Sequence, residues 1–166
     1  EKPKEIAQLE KNHNSVYGLE LKGLDQSATE IFKIKELQDE HKWLKLIELY
    51  QGNPQWLNLI ADVIQELGNG KVRELFPDDS ILLTEDIQDC LNQVFSRLSD
   101  AEKQIMIVLA KSEQSLTINL LKKLINLSQI DLINSLRSLL RRCLIERKEQ
   151  SEIIYYLHPV IKEFIM

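Results

Sequence analysis

Residues 46–67 read LIELYQGNPQWLNLIADVIQEL. Trp43, Leu44, Ile47 and Tyr50 recur at helical spacing before the glycine, and Trp56, Ile60, Val63, Ile64 and Leu67 recur after the proline, a run closed by Gly68. Gly52 can adopt the left-handed conformation that finishes one helix. Asn53 can cap the next, and Pro54 suits a first turn because its missing N–H has no intrahelical partner there. The tripeptide GNP therefore predicts a tight corner between two apolar helices. Trp43, Tyr50 and Trp56 flank it, and because they share faces with leucines and isoleucines, core packing is the default reading, with the wall of a flat pocket as the alternative.

Upstream, a short polar helix after Pro3 reaches about Asn14, and VYGLELKG at 16–23 reads as a brief strand with partial alternation. A lone strand cannot satisfy its backbone groups, so it pairs with something outside this sequence or packs as an extended arm. Asp25 then caps a helix with Ala28, Ile31 and Phe32 on one face, running to about Leu37. Downstream of the corner, residues 69–83 form a connection with a short helix at Val72–Phe76. Thr84 caps a helix with Ile87, Leu91, Val94, Phe95 and Leu98 on its apolar side. This divides the chain into a leading segment 1–24, a helical bundle 25–83, a connecting helix 84–98 and a last part 99–166.

That last part opens on Ser99-Asp100-Ala101-Glu102, the form of a capping box, ahead of a helix burying Ile105, Met106, Val108 and Leu109. Leu116-Thr117 is a short extended piece before INLLKKLIN. Ser128 caps a further helix in which Ile133, Leu136, Leu140 and Cys143 form the apolar stripe. LIERK and IIYYLH pair as strands about the polar tip Glu149–Glu152, and Pro159 starts a terminal helix. Three helices followed by a two-stranded hairpin define a winged helix-turn-helix, so the predicted fold class is mostly α, a helical bundle followed by a winged helix with a small β-hairpin wing.

The composition narrows function. With 166 residues, 43% of them hydrophobic, the chain can fill a core. It has no apolar run near the roughly 18 residues of a membrane span, and its charged start is no signal peptide. Cys90 and Cys143 fall on apolar faces of helical patterns, which predicts buried free thiols in a reducing cytoplasm rather than a disulfide or a metal pair. The five glycines are scattered, with no G-x-x-x-x-G-K-[ST], G-x-G-x-x-G or G-x-S-x-G, so these residues offer neither a phosphate cradle nor a nucleophile elbow and are not expected to catalyse by themselves.

A winged helix raises the question of DNA. The polar side of the third helix carries Gln129, Asp131, Asn134, Ser135, Arg137, Ser138, Arg141 and Arg142, and the wing tip is acidic. Residues 1–98 hold 11 Lys and Arg against 18 Asp and Glu, and residues 99–166 hold 10 against 8. That footprint is thin for a protein drawing its affinity from phosphate contacts, and it argues for a packing or protein-contact module. Of the histidines, His13 lies in a polar loop and His41 at a helix start, both surface positions. His158 sits where a strand gives way to a helix in YYLHPVIKEF, a place where a histidine caps, fills space or meets a ligand.

Taken in order, LKGLDQSATEIFK, LIELYQGNPQWLNLIADVIQEL and the winged helix closing on YYLHPVIKEF resemble the NB-ARC family of STAND signalling ATPases, most of all its bacterial, particularly cyanobacterial, members. The resemblance covers almost the whole chain. It implies that residues 1–24 end a nucleotide-binding core, 25–83 form the helical ARC subdomain and 99–166 the winged-helix subdomain. In that family a G-x-P motif packs its proline on the adenine of ADP, which Gly52, Asn53 and Pro54 match. A Met-His-Asp motif points its histidine at the β-phosphate; His158 keeps the histidine, while Leu157 replaces the methionine and Pro159 the aspartate. The resemblance thus implies ADP or ATP as cofactor of a parent ATPase with no tight binding to these residues alone, an upstream P-loop core as partner, a homo-oligomer on activation, and no metal held here. The alternative is a DNA-binding winged-helix transcriptional regulator with a helical sensing or dimerisation domain.

Overall fold

The structure, a computed structural model, describes residues 6, 9, 21–78 and 80–166. Ile6 and Leu9 are helical, as expected of the predicted polar helix, but the rest of that helix, His13 and most of the strand expected over 16–23 lie outside the described residues, and residues 21–23, the described end of that strand, are not in one. The described chain is mostly helical with one small antiparallel sheet. It packs as two compact units, one of residues 22–94 and one carrying residues 95–166, and the boundary between Val94 and Phe95 falls inside a helix.

In the first unit a 3-10 turn at Gln26–Ala28, capped by the Asp25 carboxylate, leads into α1 (Thr29–Ile34). α1 stops short of the expected Leu37 because Glu36 turns left-handed at φ 54°, which lets the Leu37 N–H return to the Phe32 carbonyl. Then follow α2 (Trp43–Leu49), α3 (Pro54–Gly68), α4 (Val72–Leu75) and α5 (Glu85–Ser96). α3 buries Trp56, Leu57, Ile60, Ala61, Ile64 and Gly68, a stripe at three- and four-residue spacing that faces α1 and α4. Gly68 does not close this helix; Asn69, left-handed at φ 49°, does. The three aromatic residues around the corner are core. Trp43 is tilted against Phe32, Tyr50 meets Phe76 edge-on, and Trp56 is buried. The Tyr50 hydroxyl donates to the Leu82 carbonyl at 2.8 Å and accepts from the Leu82 N–H at 3.0 Å, which fastens the strap ahead of α5 to the core.

The second unit contains α6 (Asp100–Lys111), β1 (Leu116–Thr117), α7 (Ile118–Leu124), α8 (Gln129–Arg141), β2 (Glu146–Glu149), β3 (Ile153–Tyr156) and α9 (Pro159–Ile165). Thr117 and Ser128 cap α7 and α8 through their hydroxyls. β2 and β3 form the expected hairpin, with Glu146 opposite Tyr156 and Glu149 opposite Ile153, and β1 joins as a third strand with Leu116 opposite Tyr155.

α8 corrects the sequence reading. Its buried stripe is Leu132, Ser135, Leu136 and Leu139, rotated by about one residue from the predicted one, so Ser135 moves from the polar side into the core while Ile133 and Cys143 face solvent. The small Ser135 lies in the face that packs against α6.

Glu102 joins these helices. Its carboxylate accepts from the Ser99 N–H at 2.8 Å and the Ser99 hydroxyl at 3.0 Å, completing the predicted capping box, and its other oxygen lies 3.8 Å from Arg142. Burial alone would raise its pKa, but hydrogen bonds from Ser138 and Ser99 and the charge of Arg142 more than offset that, so it lies below the usual 4.5. A carboxyl lowered on folding contributes stability that is fully present above its unfolded pKa and fades as pH falls through the folded one. The melting temperature of the chain, followed by circular dichroism, is therefore expected to fall as pH drops below the usual glutamate value. Glu102→Gln is expected to melt lower at neutral pH and to show a shallower acid decline.

Candidate functional site

The corner at 51–54 is built by two successive left-handed residues. α2 ends at Tyr50, then Gln51 (φ 48°) and Gly52 (φ 67°) reverse the chain, and their N–H groups donate to the Glu48 and Ile47 carbonyls at 3.0 and 2.8 Å. Asn53 returns to extended backbone as the cap of α3, its side-chain oxygen accepting from the Gln55 and Trp56 N–H groups at 3.0 and 3.2 Å. Pro54 holds the first helical position, and Asn58 donates to its carbonyl at 2.8 Å. Gly52 is buried, whereas Pro54 and Gln55 are exposed, so the corner presents a rigid apolar ring at the head of a fully capped helix.

Local sequence did not reveal what holds the corner from behind. The Leu24 N–H donates to the Gly52 carbonyl at 2.8 Å, and a Cβ on Gly52 would lie 1.9 Å from the Leu24 oxygen. Gly52 is thus required twice, for its left-handed φ and for this backbone approach. The signal was present as a second glycine, Gly23, but nothing local links positions 29 residues apart.

His158 belongs to the other unit. It is the N-cap of α9, and its Nδ1 accepts from the Val160 N–H at 3.1 Å, while its carbonyl accepts from the Lys162 N–H at 2.9 Å. A ring nitrogen that accepts cannot carry the proton, so in the neutral imidazole the hydrogen sits on Nε2, which is buried. Leu157 is buried ahead of it, and Pro159 fills the first helical position without loss because capping falls to His158 itself. Gly52, Asn53 and Pro54 thus come together in one unit and His158 stands in the second.

His41 is exposed in a 3-10 turn, as expected. The thiols are not buried: Cys90 is half-buried, with Gln55 Nε2 3.6 Å from its sulfur, and Cys143 is exposed because the chain leaves α8 there with φ 55°. Among the described residues, no group of three or more His, Cys, Asp or Glu is placed to hold a metal ion. On α8, Gln129, Asp131, Asn134 and Arg137 are exposed, but so are Ile130 and Ile133, and Arg142 faces Glu102 rather than solvent. That exposed face therefore mixes polar and apolar side chains.

No family model matches the chain. It is 32% identical over 172 residues to an uncharacterized WD repeat-containing protein of Nostoc sp. (strain PCC 7120 / SAG 25.82 / UTEX 2576), a match that covers 99% of this chain. The chain spans 13% of the length of that relative.

The corner's dependence on its cap can be measured directly. Asn53→Ala leaves two N–H groups of α3 without their acceptor and is expected to cost about 1 kcal/mol in urea unfolding, whereas Asn53→Asp or Asn53→Ser stays within about 0.5 kcal/mol of the parent.

Proposed function

We propose that this chain is a lid and latch of a nucleotide-gated signalling switch of the NB-ARC type. In this reading it closes over ADP held by a P-loop core elsewhere in the same protein. The observation that carries the reading is the pairing of a rigid, exposed Pro54 at a capped helix start with a histidine whose tautomer is set by its own helix. These are the two contact types that the family resemblance assigns to Gly52-Asn53-Pro54 and to Leu157-His158-Pro159.

The residues fit such a ligand. Pro54 offers a flat apolar face that cannot rotate away, because its ring is fixed at the first turn and its carbonyl is tied to Asn58. His158 has Nδ1 engaged by the Val160 N–H, which puts the proton of the neutral ring on the buried Nε2, the atom through which this ring would have to meet a phosphate oxygen. A hydrogen bond to an ionised acceptor is worth about 1.5–3 kcal/mol. When bound, a nucleotide supplies a base for the proline and a charged phosphate for the imidazole. A ligand that met both groups would be held by two chemically different contacts, and its loss would weaken both. Loss of the aspartate at position 159 is compatible with this role, since His158 caps α9 in its place.

The similarity to a stretch that makes up 13% of a WD repeat-containing protein is compatible with a segment of a multidomain parent. The reading places ATP hydrolysis in the core rather than in these residues, and the protein in the cytoplasm. It also includes self-association on activation.

The test separates capping from ligand contact. In the full-length parent, His158→Ala loses both the cap and the imidazole donor, whereas His158→Asn keeps a capping oxygen but its shorter amide does not reach the position that Nε2 holds. Both variants are expected to release bound ADP about ten- to a hundredfold faster, and only His158→Ala to melt lower. Parent-like ADP retention in His158→Asn would sink the latch.

A further inference from the structure

We propose that Gly23 is a positioning residue for Pro54, which sets where the corner stands by letting two backbones cross without side chains between them. This rests on the reading of Pro54 as the base contact. Gly23 is exposed, and unlike Gly52 and Gly70 it is not left-handed, so its backbone conformation does not call for glycine. Its surroundings do. A Cβ on Gly23 would lie 1.9 Å from the Gln51 carbonyl oxygen and 3.1 Å from the Gly52 carbonyl carbon, both backbone atoms that cannot swing aside. From the other chain, a Cβ on Gly52 would lie 1.9 Å from the Leu24 oxygen and 2.6 Å from the Leu24 nitrogen. The Leu24 N–H donates to the Gly52 carbonyl between them at 2.8 Å.

The other two described glycines in this unit lack that constraint. A Cβ on Gly68 meets its nearest atom at an ordinary 3.7 Å, and at Gly70 the closest atom is the end of the Gln65 side chain at 2.8 Å, with the nearest backbone atom, the Glu36 oxygen, at 3.1 Å. Among the described glycines of this unit, a backbone approach as close as 1.9 Å is therefore specific to the corner. Relieving the contact at Gly23 requires Gln51 and Gly52 to retreat by roughly 1.5 Å, the distance that turns a 1.9 Å approach into an ordinary van der Waals one. Pro54 is two residues along, with only the fixed Asn53 cap between them, so the ring moves with the crossing.

The experiment uses the full-length parent with Gly23→Ala, Gly68→Ala as control and Pro54→Ala as reference. Release of ADP is measured together with affinity for pyrophosphate, a probe that lacks the base. Gly23→Ala is expected to speed ADP release about tenfold or more while leaving pyrophosphate affinity within about twofold, because a shift of the ring is felt by the base alone. Gly68→Ala is expected to behave as the parent. Equal losses for ADP and pyrophosphate would mark a general structural defect and overturn the positioning role. An effect in Pro54→Ala with none in Gly23→Ala would overturn this inference and leave the nucleotide reading standing, whereas no effect in Pro54→Ala would remove the reading and the inference with it. Should Gly23→Ala fail to fold, Leu24→Pro deletes the N–H that reaches Gly52 without adding a side chain at 23. The same base-selective loss is expected there, and its absence overturns the proposal.

Discussion

The crossing of the Gly23–Leu24 backbone over Gln51–Gly52 is the constraint on which the first unit depends. A single hydrogen bond, from the Leu24 N–H to the Gly52 carbonyl, joins segments that are otherwise separated by two helices, and the approach is close enough to exclude a methyl group on either side. It supports a costly arrangement. Gln51 is left-handed although it carries a side chain, a state that costs roughly 1–2 kcal/mol. The cost is met because the reversal satisfies the last carbonyls of α2 and delivers Asn53 to the first N–H groups of α3 in the space of three residues. A looser turn would leave some of those groups unbonded and would let Pro54 wander.

In the second unit two side chains each do the work of two. Glu102 is at once half of a capping box and the counter-charge of Arg142, so the start of α6 and the end of α8 share one buried carboxylate. His158 likewise closes α9 with one nitrogen and, by doing so, determines which nitrogen bears the proton. In both cases a local helix-end requirement sets a property that matters elsewhere. For Arg142 the consequence is that the basic end of α8 is committed inward, which leaves Ile130 and Ile133 prominent on a face with little positive charge.

The sequence was legible wherever a structural decision is made within about four residues. Ser99 with Glu102, Thr84, Thr117, Ser128 and the Gly52-Asn53-Pro54 corner are all such decisions, and each cap forms as its spacing implies. Legibility failed where the decision is made at a distance. In α8 the apolar pattern of Ile133, Leu136, Leu140 and Cys143 points about one position away from the buried stripe, because the chain has already left the helix at Cys143 and the small Ser135 takes a packing position. β1 is two residues long, too short for any periodicity, and exists only because Tyr155 and Ile154 offer it an edge. Gly23 read as the tail of an orphan strand; its role exists only once Gln51 lies across it.

Magnitudes also bound what the two proposed contacts can do. Driving a two-state equilibrium from one part in a hundred to ninety-nine requires about 5.5 kcal/mol of differential binding. A charge-assisted hydrogen bond from His158 supplies about 1.5–3 kcal/mol, and covering some 40 Å² of an exposed proline ring supplies about 1 kcal/mol. Their sum falls short by roughly 2 kcal/mol, so Pro54 and His158 bias such a switch without throwing it by themselves. Under that proposal the remainder would have to come from other contacts to the nucleotide. A contact pair sized in this way has a functional advantage, because a latch strong enough to act alone would also resist release, whereas one that contributes about half can be undone by the loss of a single hydrogen bond.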